Sequence, residues 1–241
     1  MFRPMNWTDE LAVVTRASRG IGKALAHGLV DRGAAVALCA RDGIAIERLA
    51  SDLRAGGGRA FGAPCDVRDE AQVAEFADRV QREMGSPTIV VNNAGIARFA
   101  PVTEMPVEQW DEVMATNLRG MFLVTRAFLP AMLAHGHGAV VNIASLAGRN
   151  ALANGAAYSA SKHGVLGFSK SLLMEVRKRD VRVIAVCPGS VDTSFGDGMS
   201  PNRPSRDRIL TAPDVAAVVL ETLALDERAT VSELDIRPTN P

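Results

Sequence analysis

The chain has 241 residues, of which 47% are hydrophobic and 22% are charged, a mixture that suits one globular domain with a buried core. Lysine plus arginine and aspartate plus glutamate both total 27, so the chain lacks the basic excess usual in binders of nucleic acids or anionic membranes. The N-terminal residues lack the apolar core of a secretory signal, and no apolar run reaches the roughly 18 residues of a membrane span. We therefore expect a soluble, cytoplasmic protein that binds neither nucleic acid nor membrane.

Short apolar runs alternate with amphipathic stretches, which predicts strands separated by helices. The predicted strands cover residues 11–14, 35–39, 59–64, 88–91, 138–143, 181–187 and 233–236. The predicted helices cover residues 21–32, 44–55, 73–84, 107–133, 158–178 and 215–223, and the longest is expected to bend near Pro130. Helices between parallel strands make right-handed crossovers, so we predict a single α/β domain over residues 1–241 with a doubly wound parallel sheet.

Residues 194–210 interrupt this alternation with glycine, proline, serine and arginine. A long irregular segment inside a compact α/β domain is often a substrate lid. An ordinary surface loop is an equally open interpretation.

The three cysteines, Cys39, Cys65 and Cys187, lie far apart, in or just after predicted strands. Their number is odd, and no Cys-x-x-Cys pair is present. This pattern indicates buried thiols, and it predicts neither a disulfide framework nor a metal site.

A glycine-containing turn joins the first predicted strand to the first predicted helix in the run Thr15-Arg16-Ala17-Ser18-Arg19-Gly20-Ile21-Gly22. Glycines at such a place let the backbone approach a pyrophosphate, which the N-terminus of the helix then stabilises. A turn of this kind is common by itself. Its position after the first strand of an alternating chain is what indicates a dinucleotide site.

Polar residues follow two further strands at the edge of the sheet where open parallel sheets bind ligands. Asn92-Asn93-Ala94-Gly95 follows the fourth strand and suits a flat cofactor, with an ordinary turn as the alternative. Asp66 follows the third strand, and it either holds an adenine amino group or caps the next helix.

Ser145, Tyr158 and Lys162 form the candidate catalytic group. Tyr158 and Lys162 are four residues apart, so a helix stacks them on one face. A free tyrosine has a pKa of about 10, and a nearby ammonium group lowers that pKa enough to make a usable acid or base. Ser145 ends the fifth strand, where its hydroxyl is placed to hydrogen-bond a reacting oxygen. Asn117, inside the longest predicted helix, would by itself most often be an exposed residue.

These segments, in this order, resemble the short-chain dehydrogenase/reductase family over nearly the full chain. The matching positions are Thr15 to Gly22, Asp66-Val67, Asn92 to Gly95, Asn117, Ser145, Tyr158 with Lys162, and Pro188-Gly189 followed by Val191 and Thr193. The resemblance implies a Rossmann-type sheet of seven strands and a nicotinamide cofactor. By analogy alone, it also implies a homotetramer or a homodimer.

The resemblance also implies a role for each matching residue. Tyr158 would protonate the carbonyl oxygen, Ser145 would orient it, and Lys162 would lower the pKa of Tyr158 and bind the nicotinamide ribose. Asn117 would help to hold a water molecule that relays protons to Lys162. The expected cofactor contacts are Arg16, Ser18, Arg19, Ile21, Arg41, Asp66, Val67, Asn93, Ala94, Gly95, Tyr158, Lys162, Pro188, Gly189, Val191 and Thr193.

The end of the second predicted strand indicates which cofactor is bound. Relatives that prefer NAD usually carry an acid there, and it binds the ribose hydroxyls. This chain has Ala40 at that place, and Asp42 comes too late. Arg41 and Arg19 are placed to meet a 2′-phosphate, which suits a guanidinium group. We therefore predict NADP rather than NAD.

Arg16 departs from the family pattern, which has glycine at this position of the turn. Glycine avoids steric conflict in a tight turn near the adenosine ribose. An arginine either strains the turn and crowds the cofactor or adds a third positive charge near the 2′-phosphate. The sequence leaves both interpretations open.

The leading functional hypothesis is an NADP-dependent oxidoreductase that interconverts a ketone or aldehyde and an alcohol. A 3-oxoacyl-thioester reductase is the alternative among enzymes. A cofactor-sensing protein without turnover is the alternative of another class, and the intact catalytic group argues against it. Leu146, Arg149 and Leu152 are expected to line the substrate pocket.

Overall fold

The structure, a computed structural model, describes residues 5–193, 195, 208–226 and 228–239. Seven strands of this part of the chain form one sheet: β1 Leu11–Thr15, β2 Ala35–Ala40, β3 Ala60–Pro64, β4 Ile89–Asn92, β5 Gly138–Ile143, β6 Val181–Pro188 and β9 Glu233–Ile236. Two short strands, β7 Val191–Asp192 and β8 Leu210–Thr211, pair with each other. The helices are α1 Gly20–Asp31, α2 Gly43–Ala55, α3 Glu70–Glu83, α4 Val107–Met114, α5 Gly120–His135, α6 Ala156–Val176 and α7 Ala212–Leu223. Across the described ranges, every helix falls short of the length or the apolar character that a bilayer crossing requires.

The strand order of the sheet is β3-β2-β1-β4-β5-β6-β9, and each strand is parallel to its neighbours. The chain moves outward from β1 to β3 and then crosses back to β4 on the other side of β1. In open sheets of this kind, ligands bind beyond the carboxyl ends of the strands at the reversal. The ends of β1 and β4 therefore lie at the centre of the expected cleft.

The strands form where continuous apolar runs can be buried on both faces of a parallel sheet. Val14 and Val91 belong to the core beneath α1, α2 and α7. Their neighbours Val13 and Val90 belong to the core beneath α3, α5 and α6. Two helical layers thus cover the sheet, as the doubly wound fold predicted from the sequence requires. The burial predicted for the three cysteines is also confirmed.

Helix boundaries depend on caps that the apolar pattern does not reveal. The helix α3 begins at Glu70, earlier than predicted, because the Asp69 side chain accepts hydrogen bonds from the N–H groups of Ala71 and Gln72. Asp69 is therefore the cap of this helix, and the alternative that assigned the cap to Asp66 is wrong.

The helix predicted over residues 107–133 consists of three consecutive segments. The helix α4 ends at Met114, Ala115–Arg119 forms a π-helix, and α5 continues to His135 with Pro130 inside it. A π-helical turn holds more residues than an α-helical turn, and it recurs at functional sites. Here it includes Asn117, which is only 2% exposed. The helical pattern, which favours an exposed Asn117, is therefore misleading at this residue.

Residues 194 and 196–207, the greater part of the predicted lid, lie outside the described residues. The described segments on either side of it meet, because Val191 and Asp192 pair in parallel register with Leu210 and Thr211. A lid function for this segment stays a prediction.

Candidate active site

The turn between β1 and α1 is compact, and only glycine fits at one of its positions. A Cβ atom on Gly22 would lie 2.6 Å from Asn93 Nδ2 and 2.7 Å from the carbonyl oxygen of Arg16, closer than real Cβ atoms come. The Asn93 amide donates hydrogen bonds of 3.0 and 3.3 Å to the carbonyl oxygens of Thr15 and Arg16. The loop after β4 therefore holds the first turn in place.

Thr15 joins the same two loops, although it was not among the predicted site residues. Its hydroxyl accepts hydrogen bonds from the N–H groups of Asn93 and Ala94, at 2.9 and 3.0 Å, and donates to the carbonyl of Val91 at 3.3 Å. The available sequence signal was a hydroxyl residue at the end of an otherwise apolar strand. Thr15 positions both edges of the cleft without facing it.

Two adjoining cavities lie beyond the carboxyl ends of the strands. The first has a volume of about 720 Å³, and the predicted site residues that line it are Arg16, Arg19, Ile21, Asn93, Gly95, Ser145, Tyr158, Lys162, Pro188, Gly189, Val191 and Thr193. The second has a volume of about 330 Å³ and is lined by Arg16, Ser18, Arg19, Arg41, Asp66, Val67, Ala94 and Gly95. Arg16, Arg19 and Gly95 border both cavities, so the two form one cleft.

Tyr158 and Lys162 lie one turn apart on α6, and Ser145 faces them from the segment after β5. Lys162 Nζ donates a 2.7 Å hydrogen bond to the carbonyl oxygen of Ile143 and lies 5.9 Å from the centroid of the Tyr158 ring. Ser145 Oγ accepts a 3.1 Å hydrogen bond from the N–H group of Ala147. The three side chains predicted from the sequence are thus brought together at the first cavity.

Burial dominates the acidity of the tyrosine. It raises the pKa of Tyr158, while a hydrogen bond with Ser145 and the positive charge of Arg16 act in the opposite direction. Burial also lowers the pKa of Lys162 to about 8. With these side chains the pKa of Tyr158 lies above its ordinary value, and a lowering of that pKa by Lys162 stays a prediction. The phenol is protonated at neutral pH and can act as a proton donor.

Asn117 is a buried positioning residue beside this group. Its amide donates 2.9 Å hydrogen bonds to the carbonyl of Ile96 and to Ser161 Oγ, and its oxygen accepts one of 2.8 Å from the N–H group of Ile96. Ser161 Oγ in turn donates to the carbonyl of Tyr158 at 2.7 Å. A Cβ atom on Gly95 would lie 3.5 Å from Asn117 Oδ1. The π-helix therefore ties the loop after β4 to the helix that carries Tyr158.

Aromatic side chains that the sequence did not indicate stand beside Tyr158. The ring centroids of Phe99 and Phe195 lie 6.0 and 5.9 Å from the centroid of the Tyr158 ring. Leu146 and Leu152, both predicted to line a substrate pocket, border the same cavity. The space next to the phenol is therefore largely apolar.

Arg149, predicted to line the same pocket, is engaged elsewhere. Its guanidinium group forms ion pairs of 2.8 Å with Glu233 and 2.5 Å with Asp235, both on β9. These pairs join the segment after Ser145 to the edge strand of the sheet. The prediction was wrong because its partners come from the last strand of the chain, which the local sequence does not reveal.

The second cavity carries unbalanced positive charge. Arg16, Arg19 and Arg41 border it, and within the described ranges none of their guanidinium groups has an ion-pair or hydrogen-bond partner. Ala40 is buried at the end of β2, and the Asp42 carboxylate caps α2. A ligand with several negative charges would suit this end of the cleft.

Asp66 forms an ion pair with Arg68 at the far side of the second cavity. Its carboxylate accepts hydrogen bonds of 3.0 and 2.6 Å from the Arg68 guanidinium and another of 3.0 Å from the Arg68 N–H group. The Arg68 side chain thereby holds the pKa of Asp66 below its usual value. Asp66 and Val67 lie where the resemblance implies an adenine contact, which stays a prediction.

A doubly wound sheet with a glycine turn at its reversal, and a tyrosine–lysine pair facing that turn, define a Rossmann-type oxidoreductase. The sequence profile described as short chain dehydrogenase matches residues 10–204. The chain belongs to this family and is an NAD(P)-dependent short-chain dehydrogenase/reductase.

Similar proteins cover nearly the whole chain. The D-threitol dehydrogenase of Mycolicibacterium smegmatis is 39% identical over 236 residues, which are 94% of this chain and 90% of that enzyme. The granaticin polyketide synthase putative ketoacyl reductase 1 of Streptomyces violaceoruber is 36% identical over 242 residues, covering 92% of this chain and 89% of that protein. The crystal structure of a metagenomic short-chain oxidoreductase in complex with NADP has a TM-score of 0.85 and 38% identity, and the likeness covers 98% of this chain and 100% of that chain.

Proposed function

We propose that the protein interconverts a ketone or aldehyde and the corresponding alcohol by hydride transfer, with NADP as its cofactor. The observation that carries the proposal is the placement of Tyr158 at the first cavity, beside Ser145 and Lys162. A buried, protonated phenol with a hydrogen-bonding neighbour suits proton exchange with a carbonyl oxygen. The similar D-threitol dehydrogenase is, by its name, an alcohol-oxidising enzyme.

The residues of the cleft fit a nicotinamide dinucleotide. Gly22 keeps the turn compact enough for a close approach of the backbone, and the unpartnered arginines suit phosphate groups. Arg41 and Arg19 favour NADP because a 2′-phosphate would give their guanidinium groups a partner. Ala40 offers no acid for the ribose hydroxyls of NAD. A similar short-chain oxidoreductase was solved in complex with NADP.

When bound, NADPH supplies the hydride, and the residues of the chain handle the oxygen and the proton. Ser145 would hold the carbonyl oxygen by donating its hydroxyl hydrogen. Tyr158 would donate its phenolic proton to that oxygen as negative charge develops on it. The Lys162 ammonium group would stabilise the phenolate that is left. In alcohol oxidation the phenolate accepts the proton, and the same groups act in reverse.

Asn117 supports this chemistry by position. Its amide holds the Ile96 backbone and Ser161, so it fixes the loop after β4 against α6. A water molecule relaying protons to Lys162, as the family resemblance implies, stays part of the proposal.

A second candidate is the reduction of a 3-oxoacyl thioester, which the likeness to a ketoacyl reductase favours. The same residues would act on the 3-oxo group, and the two candidates differ only in what the apolar part of the first cavity accepts. A ketone series and a 3-oxoacyl thioester, compared at equal concentration, distinguish them by kcat/KM.

The test is NADPH oxidation, followed by absorbance, with a panel of ketones, aldehydes and a 3-oxoacyl thioester. Tyr158→Phe should lower turnover by about 10³-fold, because it removes the proton donor. The binding of NADPH should persist. Ser171→Ala removes an exposed hydroxyl from the same helix and serves as the matched control.

Two results would contradict the proposal. Turnover retained by Tyr158→Phe would remove the tyrosine from the proton transfer. NADPH binding by the unmodified protein without reduction of any carbonyl compound would favour a cofactor-sensing protein.

We further propose that the protein works in the cytoplasm as a homotetramer or homodimer. The helices α4, α5 and α6 carry the exposed side chains Val107, Phe122 and Met174, which leave apolar surface outside the cleft. Sedimentation analysis tests the assembly: a monomer at micromolar concentration would contradict it.

A further inference from the structure

Arg16 has a backbone conformation that arginine rarely adopts. Its φ angle is +50°, in the left-handed region that glycine occupies at little cost. A residue with a side chain strains the backbone there. Such a residue at the centre of a ligand cleft suggests a functional reason for keeping the side chain.

The Arg16 side chain extends along the cleft toward Tyr158. The carbon at the centre of its guanidinium group, Cζ, lies 5.3 Å from the centroid of the Phe195 ring, and Phe195 itself packs on Tyr158. Arg16 also borders both cavities of the cleft. The guanidinium group therefore lies between the cavity that contains Arg41 and the cavity that contains Tyr158.

The charge of Arg16 has no anionic partner in the part of the chain that the structure describes. The Phe195 ring is its contact. The cations Arg19 and Arg41 act on its charge more strongly than Tyr158, which acts in the opposite direction. Burial and these two cations lower the pKa of Arg16 to about 10, so the group still carries its charge at neutral pH. A half-buried cation in this position favours an anion at the middle of the cleft.

We propose that Arg16 binds the diphosphate of the dinucleotide, the group that joins its adenosine half to its nicotinamide half. This inference rests on the dinucleotide cofactor of the proposed function. The N-terminus of α1 supports it, since Arg19 at the cap makes no side-chain hydrogen bond to the helix and leaves the first N–H groups open to the same anion. On binding, the guanidinium group exchanges its contact with Phe195 for a charge-assisted hydrogen bond.

The diphosphate is distinguishable from the 2′-phosphate because NADH carries only the diphosphate, whereas NADPH carries both groups. The dissociation constants of NADPH and NADH are measured by calorimetric titration for the unmodified protein and for Arg16→Ala, Arg16→Lys and Arg41→Ala. Arg82→Ala removes an exposed arginine near the end of α3, at the opposite edge of the sheet, and is the matched control. Thermal unfolding of each variant verifies that it folds.

Arg16→Ala should weaken NADPH and NADH by a similar factor of about tenfold, the usual range for one charged hydrogen bond. Arg16→Lys should recover part of this loss, since it keeps the charge without the planar fork. Arg41→Ala should weaken NADPH and leave NADH nearly unchanged. Raising the salt concentration should weaken NADH binding less in Arg16→Ala than in the unmodified protein.

Three outcomes would overturn the inference. A loss confined to NADPH in Arg16→Ala would assign Arg16 to the 2′-phosphate. Tighter binding of both nucleotides would show that the side chain obstructs the cleft. Equal affinities in Arg16→Ala and the unmodified protein would show that it makes no contact. Failure of the unmodified protein to bind either nucleotide would instead overturn the cofactor on which the inference rests.

Discussion

The two ends of the cleft are built in opposite ways. At the Tyr158 end, Lys162 and Asn117 are held by hydrogen bonds to protein groups, and Ser145 is held by a backbone N–H group. At the other end, the guanidinium groups of Arg16, Arg19 and Arg41 border the second cavity without a carboxylate partner among the described residues. The side chains at the Tyr158 end are fixed by hydrogen bonds within the protein. The arginine end carries positive charge that an anionic ligand would balance.

This difference separates the groups that orient the reacting atoms from the groups that contribute to cofactor affinity. Groups that act on a developing charge must already be in place, because reorganising them during the reaction would raise its barrier. Groups that bind a phosphate contribute most when a charged partner replaces water around them. We therefore expect substitutions at the Tyr158 end to change turnover and substitutions at the arginine end to change cofactor affinity.

The largest effect of this kind after that of Tyr158 is expected for Ser145→Ala. The substitution removes the hydroxyl proposed to hold the carbonyl oxygen, and it should lower kcat by about 100-fold. The dissociation constant of NADPH should change little, as measured by titration beside steady-state kinetics. A variant with near-normal kcat but weakened NADPH binding would reverse the roles assigned to the two ends.

Lys162→Met tests how far the buried charge of Lys162 lowers the free energy of unfolding. Lys162 is almost fully buried, and its pKa of about 8 lies below the ordinary 10.5. The folded state therefore disfavours its charge, at a cost of about 3 kcal/mol at pH 7. Since the variant also loses the hydrogen bond to the carbonyl of Ile143, its free energy of unfolding should be higher by about 2 kcal/mol. Urea denaturation measures this gain in stability. The substitution should also abolish turnover, because it removes the ammonium group proposed to stabilise the phenolate.

The pH dependence of this gain has a definite sign. Between pH 8 and 10.5 the unfolded chain binds more protons at Lys162 than the folded chain does, so the stability of the unmodified protein rises with pH. The advantage of Lys162→Met should therefore shrink across this window. A variant that is less stable than the unmodified protein at pH 7 would show that the hydrogen bond to Ile143 outweighs the cost of burying the charge.

The smallest effect is expected for Arg16→Gly in the absence of cofactor. Glycine removes the strain of the positive φ angle and the unpartnered charge, at the cost of a more flexible unfolded chain. The net gain in the free energy of unfolding should be below about 1 kcal/mol. Arg16→Ala keeps the strain and should gain less. Equal stability of both variants would show that the turn is unstrained.

The architecture was predictable from the sequence because each buried parallel strand is a continuous apolar run, such as residues 138–143. The π-helix at Ala115–Arg119 was not predictable, because its residues continue an ordinary helical pattern. Packing against the loop after β4 and against α6 accompanies the inward position of Asn117 there. The partners of Arg149 were likewise hidden, since they come from the last strand.

The sequence by itself determined that Tyr158 and Lys162 share one face of a helix, because the spacing of four residues is a local property of helical geometry. The tertiary structure decided the direction in which the pKa of Tyr158 moves, because burial depends on every element packed around the phenol. It also decided where Arg16 points. The position of Phe195, which receives its guanidinium group, follows from long-range folding that no local pattern encodes.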